Sequence, residues 1–190
     1  MACSLKHIKN TAKDCTESFS GVGTTAYVAL IEDLETPGVW SEELAGFTPE
    51  SFAFKAGKGF YQIDIKKKSG KVTFESNPQG GGFNNVLTFV CNNNMDQLAY
   101  ILRTINNVDT CWLISDGKGG YYAMYDPEFA PEVTSSGDTG DTPDSDRGIT
   151  ITVTASPARY PFAKWTPSGS LTLVPEDGKT EEPEGDGEES

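Results

Sequence analysis

Apolar and polar residues alternate with a period of two in several short stretches of this chain, and with a helical period in only one. Residues 24–31 (TTAYVALI) carry apolar side chains on both faces, with Ala26, Val28 and Leu30 on one and Tyr27, Ala29 and Ile31 on the other. That pattern predicts a strand covered on both sides, or one that bears an interface on its outer face. Residues 60–65 set Tyr61, Ile63 and Ile65 against Gln62 and Asp64, and residues 71–75 place Val72 and Phe74 together. Ser69-Gly70 between them is a turn pair, so the two segments read as a hairpin. A strand at 86–91 follows the glycine-rich run 77–82. A second hairpin joins 110–115 (TCWLIS) to 121–125 (YYAMY) through DGKGG. Residues 149–155 (ITITVTA) alternate so cleanly that they predict a half-buried strand whose Thr face meets water. Residues 170–174 read as the last strand.

The helical stripe is Met95, Leu98, Ala99, Leu102 and Ile105, within a helix predicted over about 95–106. Asn94 suits its N-cap, and Gln97 stands where a capping-box partner belongs. One amphipathic helix among strands must cover a sheet or close the mouth of a barrel. Residues 33–58 show no period. Pro37, Gly38, Gly46 and Pro49 punctuate Val39, Trp40, Phe47, Phe52 and Phe54. A loop this long with aromatic residues in it is expected to be functional and to expose them.

Composition agrees with a mainly β chain of one domain: 190 residues, 20 Gly and 11 Pro, hence many turns. Residues 1–23 read as an N-terminal arm and 24–174 as the domain. Residues 175–190 lack large apolar side chains and are expected to form a disordered acidic tail. The net charge of −13 is local, with −7 in residues 175–190 and −7 in the acidic loop 126–146. The rest is nearly neutral, which argues against tight phosphate binding. Lys66, Lys67, Lys68 and Lys71 form the one basic run. It reads as a solvated turn, with an acidic partner as the alternative.

No apolar run approaches the ~20 residues of a membrane span, and the first 16 residues lack a signal-like hydrophobic stretch. The chain is therefore expected in a cytosol, with Cys3, Cys15, Cys91 and Cys111 as thiols. Cys91 and Cys111 fall inside apolar strands and are expected to be buried and inert. The lone histidine, His7, lies in the polar arm, which leaves the common Ser-His-Asp and metal-His sets without a partner. The glycine clusters at 57–59 and 117–120 do not match a phosphate-binding loop. Asp138, Asp141, Asp144 and Asp146 do not have calcium-loop spacing, and nothing selects a pair of acids for glycoside hydrolysis. No catalytic, cofactor-binding or metal-binding residue is predicted, and the chain is not read as an enzyme.

Several stretches taken together resemble bacteriophage tail tube proteins, in particular the short forms from phages of gut Bacteroidetes. They are the MACSL start, KKKSGKVTFESNPQGGGFNNVLTFV, MDQLAYILRTINN with the following TCWLISDGKGGYYAMY, and ITITVTASPARYPF. The resemblance covers roughly residues 24–165. It implies an antiparallel β-sandwich or small barrel flanked by one α-helix, with long loops, which assembles into hexameric rings that stack as a hollow tube. It also implies a virion protein assembled in the bacterial host cytoplasm, with itself and other tail proteins as partners and DNA passing without specific binding. Residues 33–58 would then reach the neighbouring ring through Trp40, Phe47, Phe52 and Phe54. Tyr27 and the Thr face (Thr150, Thr152, Thr154) are further candidate contacts between subunits, and an acid-lined lumen is expected. The alternatives are a capsid decoration or head–tail connector protein, or a small cytosolic binding module.

Overall fold

A computed structural model of the protein describes residues 22–43, 45–77, 81–91, 95–138 and 148–174. These form an antiparallel β-sandwich of two open sheets and one helix. The five-stranded sheet runs in the order β11-β8-β7-β1-β4, with β1 Thr25–Leu30, β4 Tyr61–Asp64, β7 Thr110–Ser115, β8 Tyr121–Met124 and β11 Lys164–Trp165. The four-stranded sheet runs β5-β6-β10-β9, with β5 Lys71–Ser76, β6 Phe83–Cys91, β9 Glu132–Asp138 and β10 Gly148–Ala158. A two-stranded ribbon pairs β2 Leu34–Thr36 with β3 Ala53–Phe54.

Period-two alternation sorts the side chains into layers. Ala26, Val28, Trp112, Ile114 and Met124 point from the five-stranded sheet toward Leu87, Phe89, Ile151, Val153 and Ala155 of the four-stranded sheet. The helix α1, Met95–Ile105, closes this core with Leu98 and Ile105, and Ile101 and Leu102 pack beside them. Ala99, assigned to the apolar stripe, is exposed. Ile101 takes that place because the stripe drifts around a 3.6-residue helix. Asn94 lies outside the described residues.

A second core occupies the other face of the five-stranded sheet. Ala29, Cys111, Leu113, Ala123 and Tyr125 meet Leu34, Phe47, Phe52, Phe60 and Trp165. β1 is thus apolar on both faces because both are covered.

Three expectations fail here. Residues 60–65 and 71–75 are not a hairpin, since β4 and β5 lie in different sheets and the turn between them crosses the sandwich edge. The acidic loop 126–146 contains a strand, β9, paired with β10 from Thr154↔Glu132 to Gly148↔Asp138. Residues 170–174 form no strand, only a parallel bridge between Leu173 and Phe60. The tail 175–190, most of the arm 1–23, and Cys3, Cys15 and His7 lie outside the described residues.

Candidate assembly surface

The segment 33–58 is a lid on its own sheet, not an arm reaching outward. Phe47 and Phe52 are 1% and 3% exposed. Trp40 stacks on Phe47 with ring centroids 4.0 Å apart, and Phe52 meets Tyr125 and Trp165 edge-on at 5.2 and 5.1 Å. Phe54 is half-buried against Phe60 at 4.8 Å. A glycine makes the attachment possible. The Phe47 N–H donates to the Lys164 carbonyl at 2.8 Å, and a Cβ on Gly46 would run into that same carbonyl. The expected exposure of Phe47 and Phe52 is therefore wrong. Several aromatic side chains removed from water together, Phe47 and Phe52 among them, offset the cost of ordering the segment against the sheet. Trp40 is half-buried at the lid's margin. Tyr27 also joins this layer, edge-on to Tyr121 at 5.7 Å. Burial, then the neighbouring Tyr121 and Asp64, push its phenol pKa up.

The Thr residues are placed differently. Thr150, Thr152 and Thr154 lie on the outer face of the four-stranded sheet. There the strand register sets them beside Val90, Thr88 and Val86 of β6 and Ser136, Thr134 and Glu132 of β9. On the other flank Lys71 and Thr73 of β5 stand level with Thr88 and Val86. The three Thr are half-buried by their strand neighbours, and no described element forms a further layer over them. Lys71, Glu75 and Glu132 bring charge to the margins of this face.

The sheet edges differ in the same way. In the five-stranded sheet β11 has two residues. Just ahead of β4, Phe60 donates to the Thr172 carbonyl at 2.9 Å and accepts from the Val174 N–H at 3.1 Å. In the four-stranded sheet the outermost strands are β5, with six residues, and β9, with seven. Among the described residues neither has a partner on its outer side. β9 (EVTSSGD) has no Pro and no Lys, the residues that commonly blunt an edge. Sequence reasoning missed β9 because its core-facing side carries Val133, Ser135 and Gly137, a single apolar residue and hence no alternating pattern. The usable signal was Val133, which stands opposite Val153.

The remaining polar groups serve the fold. Asp116 accepts the N–H groups of Lys118 and Gly120 at 2.8 and 3.0 Å and pairs with Lys164 at 3.4 Å. Burial raises its pKa, but the two N–H bonds and the Lys164 charge outweigh burial and hold the carboxyl below its usual range. Burial pushes the Cys91 thiol up to about 11 and Cys111 higher still, so both stay protonated at neutral pH. Among the described residues no three metal-ligating side chains cluster, and no helix is long and apolar enough to cross a membrane. Of the four aspartates weighed for calcium, Asp141, Asp144 and Asp146 lie outside the described residues. Compared with models of known families, with curated proteins and with solved structures, the chain finds no match.

Proposed function

We propose that this chain is a virion structural protein, a subunit of a phage tail tube that self-assembles into stacked hexameric rings forming a conduit for DNA. The observation that carries the reading is the four-stranded sheet, uncovered on its outer face and open at both edges among the described residues. Strand direction favours continuation. β5 and β9 run opposite ways within the sheet, because each junction from β5 through β6 and β10 to β9 is antiparallel. Copies related by rotation about an axis along the strands therefore bring β9 of one beside β5 of the next as a further antiparallel pair. Lys71 opens β5 and Asp138 closes β9 at the same end of the sheet. With levels kept across the seam, Glu75 stands two residues beyond Glu132, so these like charges are offset.

Repeating the contact round a ring leaves no free edge. The sheet face turned to the axis then carries Thr hydroxyls and methyls. A surface without clustered cations gives DNA phosphates nothing to bind. On this reading the lining is neutral in its centre, not acidic as the resemblance implies. The partners are copies of the same chain, then other tail proteins.

The test is negative-stain electron microscopy of the purified protein over a concentration series, with light scattering on the same samples. Rings or tubes of uniform width are expected. A particle that stays monomeric at every concentration overturns the reading. It would favour a capsid decoration or connector protein, whose open edges take a strand from a different chain.

A further inference from the structure

The two ends of the four-stranded sheet carry opposite chemistry. At the end where β5 begins, the turn between the sheets is pinned by Ser69. Its hydroxyl donates to the Lys66 carbonyl at 2.7 Å and accepts the Val90 N–H at 3.1 Å. Lys67 and Lys68 stand exposed at the tip. Lys68 holds φ at 65°, a left-handed conformation that is costly for a residue with a Cβ. Strain of this kind persists only where the surroundings fix it, and here it falls between two exposed, consecutive lysines and the pinned Ser69.

At the opposite end lies an open groove of about 330 Å³, lined by Trp40, Asp126, Glu128, Phe129 and Arg159 among others. It too is organised in advance. Asp126 Oδ1 accepts the N–H groups of Glu128 and Phe129 at 2.9 and 3.3 Å, which fixes the loop. Trp40 is held by its stack on Phe47, and Phe129 is 49% exposed. Arg159, the one cation among the described lining residues, lies over the Tyr160 ring at 5.5 Å. Val90, which the turn is bonded to, is level with Thr150, whereas the groove lies beyond Ala155. The two features are thus roughly 20 Å apart along β10.

We propose that the Lys67–Lys68 turn of one copy seats in the groove of the next copy along the axis, so that rings stack head to tail in a single direction. This rests on the ring reading above. Aromatic faces beside carboxylates are a site for an ammonium group, which gains from both the ring quadrupole and the opposite charge. A contact between two different patches at opposite ends does not close, so it extends a stack. The segment joining β9 to β10 leaves from the basic end and is acidic in sequence. Net charge of the ends therefore does not make the contact; the pinned turn does.

Three full-length variants test this by electron microscopy and light scattering. They are Lys67→Glu/Lys68→Glu, Asp126→Asn/Glu128→Lys, and the chain carrying all four changes. Asn at 126 keeps the oxygen that caps the loop. Each double variant is expected to form rings, with the concentration at which stacks appear raised roughly tenfold or more by like charges brought together. The fourfold variant is expected to recover stacking. Trp40 provides a second readout, because Trp112 and Trp165 are buried in the cores. Its emission should shift on stacking in the wild type and not in the double variants. Double variants that stack as the wild type does overturn this contact and leave the ring reading in place. A wild type that forms no rings removes both.

Discussion

The five-stranded sheet is buried on both faces, the four-stranded sheet on one. On the first, Ala29, Cys111, Leu113 and Ala123 are small or apolar and accept a layer of Phe47, Phe52, Phe60 and Trp165. On the second, the equivalent positions hold Thr88, Thr134, Thr150, Thr152 and Thr154, β-branched residues that suit a strand and need no cover. The edges follow the faces: short or bridged on the sealed sheet, long and open on the other. One half of the molecule thus spends its aromatic side chains on its own stability. The other keeps a regular backbone surface with little to lose in water and hydrogen-bonding groups to offer.

Phe47→Ala is expected to have the largest effect on the sealed half. If the lid is core, this change costs about 3–5 kcal/mol of unfolding free energy in urea titration. A cost below about 1 kcal/mol would put Phe47 outside the core and return the lid to the role of a projecting loop. Gly46→Ala attacks the lid's attachment instead. The new methyl meets the Lys164 carbonyl, and a loss of about 1–3 kcal/mol is expected from the forced backbone shift. An unchanged melting temperature would show that the attachment is loose.

Asp116→Asn removes one charge from the β7–β8 turn beneath the same sheet and should cost about 1 kcal/mol at neutral pH. The folded carboxyl titrates below the ordinary Asp value, so its contribution is full above pH ~4 and fades as the pH falls further. Wild type and variant should therefore converge in acid; a gap that persists there contradicts the assignment. On the open sheet, Thr152→Lys should change monomer stability by no more than about 0.5 kcal/mol. A large loss would mean that something covers the Thr face.

Much of the sealed half was legible in the sequence, but not its closure. β1 has apolar residues on both faces, and that pattern announced two covers without saying that residues 33–58 supply one. Alternation tells which side of a strand is apolar and not which sheet it joins, so 60–65 and 71–75 passed for a hairpin although each serves a different sheet. Aromatic residues in an aperiodic segment look alike whether they point in or out. Phe47 and Phe52 were therefore assigned to an interface, when distant partners such as Tyr125 and Trp165 hold them inside. The Thr face of 149–155 was legible because a central strand shows both of its sides. β9 was not, because only Val133 of its core-facing side is apolar, and one residue makes no pattern.

Whether the open edges of the four-stranded sheet build the assembly can be read by hydrogen exchange with mass spectrometry on dilute and assembled protein. Assembly is expected to slow exchange in residues 71–76 and 132–138, while 110–115, already inside the sealed sheet, stays as slow as before. Assembly that leaves both edge strands exchanging as they do in the monomer would contradict it.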